Sequence, residues 1–410
     1  MRAPLAGIRV IDLSMGWAGP LAARHLADMG AEVIKVESCE RFDWWRGWEA
    51  TEEWIAQNLA EQSVAFNTVN RNKLDVTLDL TSRDGAALLK RLVAIADVVV
   101  ENYSAGVLPK LGLDYAALSA VNPQIVMLSM PAFGTTGPWS GYRAYGSTVE
   151  HASGLPHLTG EPHWPPAMSH VAYGDAVGGL NGAAALLTAL RHRKRTGVGQ
   201  YLDLSQSEGL FPLAAHGILE QSVTGRAPER RGNRSTGCAP HGVYPTRGAD
   251  QWLVLQVLTE PQWRALTALA PPLAAFGDVA ERLARRDELD AAVAAWTRDQ
   301  DGRELMHRLQ RAGIPAAAVY DARDVLGDPQ LAARGFWQMT ERAYVGVQPG
   351  PAPPYRVGEN PYRIETPAPT LGEHNRRVLG ELLGLGDAEL ERLARDGVIG
   401  NRPVMPKGGD

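Results

Sequence analysis

Thiols are nearly missing from this chain: 410 residues carry two cysteines, Cys39 and Cys238. Their separation excludes a disulfide framework and every Cys-based metal motif, and so few thiols imply a reducing, cytoplasmic compartment. Long apolar runs are missing too. The longest, around residues 182–190, falls well short of the ~20 residues a membrane span needs, and the N-terminus lacks the apolar core of a signal peptide. Neither sign of charge dominates. With 46 acidic against 41 basic residues and a net charge of −5, the chain offers no surface for nucleic acid. His151, His157, His163 and His170 lack ligand spacing, so no metal is expected. Ser205 and Ser207 lack the Gly-x-Ser-x-Gly elbow of a serine hydrolase. Neither a heptad nor an internal repeat is present, and the length points to two domains.

Glycine and proline are generous by contrast, at 43 and 28 residues, and they punctuate a regular alternation. Residues 8–13 read as a buried strand, a Gly-containing turn follows, a helix spans about 20–29, and after Gly30 residues 31–37 form the next strand. Strand, helix, strand implies parallel neighbours joined by a crossover. The pattern continues with strands at 75–79, 98–101, 125–130 and 200–204 and helices at 82–94 and 114–120. The expected fold class is therefore α/β, a Rossmann-like doubly wound parallel sheet, followed by a smaller α+β domain. The expected boundaries are 1–205 with 338–410 for the large domain, 206–241 for a linker helix and loop, and 242–337 for the small domain. The segment from 338, with Pro349, Pro351, Pro353 and Pro354, reads as a tether.

One carboxylate stands apart. Asp175 opens a helix of small and aliphatic residues that ends in the basic cluster Arg191 to Arg195. A helix-start Asp ordinarily caps its own helix. Here Gly174 precedes it and Gly178 and Gly179 follow, and such a stripped backbone could admit a bulky ligand. Both readings stay open. The first turn, Gly16-Trp17-Ala18-Gly19-Pro20, falls short of a dinucleotide fingerprint, although Glu37 ends the second strand as a ribose ligand would. Arg71 and Lys73 flank Asn72 beside one strand, Lys110 follows another and Arg143 lies in a third loop. Placed at the carboxyl ends of strands, they would suit a ligand with several phosphates, such as coenzyme A. Trp44, Trp45 and Trp48 read either as satellite packing or as an apolar wall for an acyl group.

Together the blocks Leu5-Ala-Gly-Ile-Arg-Val-Ile-Asp-Leu, Ala18-Gly-Pro, Leu26-Ala-Asp-Met-Gly-Ala-Glu-Val-Ile-Lys-Val-Glu, Asn70-Arg-Asn-Lys, Glu101-Asn-Tyr, Phe133-Gly-Thr-Thr-Gly-Pro, Gly174-Asp and Leu371-Gly-Glu-His make a chain that resembles the class III (CaiB/BaiF) CoA-transferases. The resemblance spans essentially the whole sequence. It implies an acyl-CoA and a carboxylic acid as substrates, with no permanently bound cofactor, and Asp175 as the nucleophile. It also implies an interlocked homodimer, with a heteromer as the alternative assembly. CoA contacts are implied at Gly16, Trp17, Ala18, Arg71, Asn72, Lys73, Asn102, Tyr103, Lys110, Leu111, Arg143 and Tyr145. Amides near Gly134 and at the helix start would serve as oxyanion donors. Racemases of α-methylacyl-CoA share the fold, but Tyr145 stands where they carry a basic His, which favours transfer; a non-catalytic subunit is the other alternative. Trp17, Ser38 and Gly146 depart from the family, replacing a frequent Gln, a frequent basic residue and a frequent carboxylate. With the aromatics at 42–48, Trp17 points to a bulkier or more apolar acyl group.

Overall fold

The computed structural model describes residues 3–48, 50–168 and 171–405. They divide into two compact units, one of Met1–Leu155, Met168–Ala215 and Gln330–Asp410, the other of Pro156–Ala167 and His216–Pro329. These units differ from the expected boundaries chiefly in giving residues 156–167 to the smaller one.

In the larger unit six strands form one wholly parallel sheet: β1 (Arg9–Asp12), β2 (Glu32–Glu37), β3 (Lys73–Thr77), β4 (Val98–Glu101), β5 (Val126–Ser129) and β6 (Gln200–Asp203). Their order is β3-β2-β1-β4-β5-β6, so the winding reverses between β1 and β4. Helices cover both faces, which is why the strands are continuous apolar runs rather than alternating ones. Val98 and Val100 pack with Ala22, Leu26 and Leu186, on the side of helix α1 (Ala18–Asp28). Val99 packs on the opposite side with Leu89 and Leu92 of α2 (Arg83–Ala94) and with Val378 and Leu393 near the C-terminus. Further along, α3 (Gly146–Ala152) precedes α4 (Tyr173–Thr196). Small residues let α1 and α4 come close: a Cβ on Gly179 would lie 2.8 Å from both the Ala18 carbonyl oxygen and Leu21 Cδ2. Gly197, at φ +73°, ends α4 after a basic last turn that suits the helix dipole.

Under the first two strands lies a buried ionic cluster that the sequence did not announce. Arg46 is fully buried, pairs with Glu37 and Glu61 at 2.9 Å each, and sits over the Phe66 ring. Arg342 reaches the same Glu61 at 2.9 Å. Lys35 pairs with Asp43 at 2.8 Å, and Asp43 accepts hydrogen bonds from the amides of Gly16 and Trp45 at 2.8 and 2.9 Å. The cluster thereby pins the aromatic loop at 42–48 to the turn after β1.

The proline-rich segment is more than a tether. Strands β10 (Trp337–Arg342) and β11 (Gly346–Pro351) pair as an antiparallel hairpin, in which Pro349 and Pro351 are tolerated because each strand has an unpaired edge. Taken by itself, the smaller unit is a three-stranded antiparallel sheet of β7 (His241–Pro245), β8 (Trp252–Gln256) and β9 (Ala316–Ala318). Its core of Leu253, Leu255, Trp263, Leu266, Val293 and Leu309 comes from β8 and its helices. No helix among the described residues is long and apolar enough to cross a membrane.

Candidate active site

Open α/β sheets bind ligands at the carboxyl ends of their strands where the winding reverses. Here that place is the gap between the loops after β1 and β4, and Asn102 bridges it. Its Oδ1 accepts the Met15 amide at 2.8 Å and its Nδ2 donates to the Met15 carbonyl at 2.7 Å. Beside it opens a cavity of about 410 Å³, lined by Met15, Trp44, Asn102, Tyr103, Arg143, Tyr145, Gly146, Asp175 and Gln206 among others. Among the described residues no histidine lines it.

Asp175 is not the cap of its own helix. Residue 172 takes the N-cap position, with Ala172 held at φ +50°, and the Tyr173 amide donates instead to Glu150 of α3 at 3.1 Å. Freed from capping, the half-buried Asp175 carboxylate faces the backbone N–H groups of Gly146 and Ala18, which favour its charged form. Each of these is the first residue of a helix, α1 and α3, and neither helix has a side-chain cap. First-turn amides have no partner within their own helix, so two helix starts converge on one anion. Burial nevertheless wins: it raises the Asp175 carboxyl from 3.8 to about 6, against the pull of the Gly146 and Ala18 amides.

Gly146 makes the approach possible. A Cβ there would lie 2.1 Å from Asp175 Oδ2, so the site cannot enlarge this residue. The stripped stretch at 178–179 serves packing rather than access, because Gly178 faces Gln206 and Gly179 faces α1.

The expected contact residues fall into four groups. Asn102, Tyr103, Arg143 and Tyr145 line the Asp175 cavity, with Arg143 and Tyr145 exposed, while the fully buried Ala18 faces Asp175 through its backbone amide alone. Gly16, at φ +72°, packs under Trp44, and Trp17 packs against Trp45 with ring centroids 5.6 Å apart. Of the loop tryptophans Trp44 lines the cavity; Trp48 packs against it at a tilt with centroids 4.6 Å apart, and Tyr145 meets it edge-on at 5.5 Å. Leu111 lines a separate narrow groove with Tyr103, and Lys110 stands exposed next to it in sequence.

Arg71, Asn72 and Lys73 correct the expectation of a phosphate clamp. Arg71 and Asn72 precede β3 and Lys73 opens it, so all three lie at its amino end, away from the ligand edge of the sheet. Arg71 is buried in a bidentate pair with Asp28, at 2.9 and 2.7 Å. Asn72 Oδ1 accepts the amides of Glu365 and Thr366. Lys73 is fully buried and donates to Asp12, Asn70 and the Pro20 carbonyl within 2.9 Å. All three hold the fold together. Gly134 is displaced as an oxyanion donor as well, since it neighbours Asp203 and Ser205 and is not among the residues lining the cavity. His170 lies outside the described residues. Sequence reasoning passed over Gly146 as a functional position, together with Gln206 and Glu150. Only Gly146 carried a signal, as a glycine just ahead of a helix start.

The model of CoA-transferase family III matches residues 5–375. A succinate–glutarate CoA-transferase of Agrobacterium fabrum is 35% identical, over 92% of this chain and 96% of its own. A succinyl-CoA–D-citramalate CoA-transferase of Chloroflexus aurantiacus is 34% identical, over 97% of this chain and 98% of its own. Among solved structures, a CaiB/BaiF family protein from Brucella suis matches with a TM-score of 0.82 at 32% identity, covering 93% of this chain and 100% of that one.

Proposed function

Because the chain belongs to CoA-transferase family III, we propose that it moves CoA from an acyl-CoA donor to a carboxylic acid with Asp175 as the attacking group. The observation that carries this reading is the Asp175 carboxylate, held by the amides of Ala18 and Gly146 at the wall of an open cavity. A carboxylate oxygen attacks the thioester carbonyl, the carbon–sulfur bond breaks, and CoA leaves as thiolate from a mixed anhydride. The thiolate then attacks the aspartyl carbon, releasing the first acid and leaving an aspartyl-CoA thioester. The acceptor carboxylate attacks that thioester to give a second anhydride and thiolate again. Attack of the thiolate on the acceptor acyl carbon returns Asp175 and completes the exchange. No proton need be moved, and one hard substitution becomes a series of easier ones.

The two amides have a second use in this scheme. When the aspartyl carbon becomes tetrahedral its oxygen gains full charge, and fixed donors already pointing at it stabilise that charge without reorganisation. The related enzymes named for succinate, glutarate and citramalate act on small acids with two carboxylates, and Arg143, exposed at the cavity and without an ion-pair partner among the described residues, is suited to a distal carboxylate or a phosphate. Trp44, Trp48 and Tyr145 favour an acyl group with an apolar body. A second copy of the chain would cover the exposed Ile218, Leu219 and Val223 on one helix.

The test is chemical. Incubation with a panel of acyl-CoAs is expected to leave a hydroxylamine-sensitive mass adduct on the peptide carrying Asp175, and Asp175→Ala is expected to lose both adduct and exchange. Normal exchange by that variant overturns the reading.

A further inference from the structure

We infer that the cavity along β7 in the smaller unit binds a small polycarboxylate, at a site apart from Asp175 and independent of the reading given above. The cavity measures about 760 Å³ and, among the described residues, shares none of its lining with the Asp175 cavity. Its size is that of a small-molecule site. One wall is β7 and another is helix α5 (Arg286–Thr297), with the segments at 161–163 and 229–234 completing it. β7 pairs with β8 alone, so its other edge is open. The Thr246 N–H donates to the Gln251 carbonyl and the Val257 N–H to the Pro240 carbonyl. Antiparallel bonding alternates along a strand, which leaves the backbone groups of His241 and Val243 pointing away from β8. The Val243 N–H therefore has no strand partner, and a ligand beside it meets a fixed donor.

Charge supplies the rest of the recognition. Arg230, Arg231 and Arg286 line the cavity, and none of them pairs with a carboxylate among the described residues. Arg230 donates to carbonyls, those of Glu161 and His157 at 3.3 and 3.4 Å and that of Trp164. Arg286 donates to the Ser235 carbonyl, and Arg231 is exposed. A carbonyl orients a guanidinium without cancelling its charge. The carboxylates of the cavity do not answer these three. Asp290 accepts the Tyr244 hydroxyl at 2.7 Å and pairs with Arg234 at 3.5 Å, while Glu161 and Glu229 form no ion pair among the described residues. Like charges gathered around one hollow repel unless an anion lies between them, and a guanidinium fork matches a carboxylate in two parallel bonds. The arginines come from a loop and a helix start, and the Val243 N–H from a strand. A ligand that satisfies them together carries several anionic groups on one scaffold, whereas a single-centre anion such as inorganic phosphate meets them one at a time.

Titration calorimetry with citrate as the probe tests the site. The wild-type chain is expected to bind citrate with a Kd below about 1 mM, and inorganic phosphate more weakly. Arg231→Ala and Arg286→Ala are each expected to weaken citrate about ten- to a hundredfold, the size of one charge-assisted contact, and Arg231→Glu to abolish its binding. Thermal melts show which variants are folded, and if Arg286→Ala melts early the two Arg231 variants decide alone. Arg143→Ala is expected to hold citrate as the wild type does, and Arg231→Ala to keep the labelling of Asp175, which together separate this cavity from the one at Asp175. Citrate held equally by the wild type and both Arg231 variants, citrate lost in Arg143→Ala instead, or phosphate bound as tightly as citrate overturns the inference.

Discussion

Replacing Asp175 with Asn is expected to stabilise the protein while abolishing transfer. Burial lifts the folded-state carboxyl from 3.8 to about 6, so the native state resists ionising a group that the unfolded chain ionises freely. Below pH 3.8 the group is neutral in both states and costs nothing. As pH rises through 6 the native state is forced to carry the charge, and stability falls by about 1.4 kcal/mol for each tenfold ratio of ionisation constants. The two values translate to about 3 kcal/mol lost at pH 8 and about half of that at pH 5. Asn is neutral throughout, has nearly the same shape, and its amide oxygen still accepts one of the two N–H groups. Urea unfolding of both proteins at pH 5 and pH 8 measures the difference. Asp175→Asn is expected to be more stable at both, with the margin about doubling at the higher pH. A variant less stable at pH 8, or a margin independent of pH, refutes the argument that burial governs this carboxyl.

The same pKa predicts that acyl-CoA labelling of Asp175 rises with pH and levels off above about 6, because the attacking form is the carboxylate; a flat profile from pH 5 to 8 counts against it. Gly146→Ala places a Cβ on Asp175 Oδ2 and displaces the amide that donates to it, so turnover is expected to fall by about a hundredfold, the usual effect of losing one such donor, with little change in CoA affinity. Arg71→Ala leaves Asp28 buried without its bidentate partner and is expected to cost about 3–5 kcal/mol of stability, while CoA titrates with wild-type affinity. A lost CoA affinity in that variant, at a temperature where it is folded, restores the phosphate clamp.

The parallel sheet was legible because strands buried on both faces leave unbroken apolar runs such as Val98–Val100, and turns at Gly30 and Gly197 punctuated them. In the smaller unit the pattern is alternation instead, with Leu253 and Leu255 buried on one face of β8. What failed was reading where charged residues face. Arg71 and Lys73 look like a cationic loop, yet a loop that enters a strand lies at its amino end, and their partners Asp28 and Asp12 are distant in sequence. The Arg46 cluster was hidden likewise, since Glu61 and Arg342 meet only after the chain has closed on itself. The hairpin of β10 and β11 was missed because its prolines argue against strand, which holds for interior strands alone.

Asp175 itself illustrates a different limit. Its position at a helix start was plain, but what distinguishes a cap from a nucleophile is the identity of the donors, and those come from elsewhere. Had Tyr173 and its neighbours been its partners, the carboxylate would be satisfied and inward-facing. With Glu150 taking the Tyr173 amide, the carboxylate is left to the starts of two other helices, whose amides orient it without supplying a full counter-charge. Lysine or arginine in their place would hold the carboxyl ionised at lower pH and also bind it too firmly to release an oxygen to an acyl carbon. Neutral amides against partial burial leave an anion at neutral pH that is poorly solvated, and poor solvation raises the reactivity of a carboxylate. On this argument a cation added beside Asp175 should lower its pKa and slow labelling at pH 8 together, two effects that a merely structural aspartate would not couple.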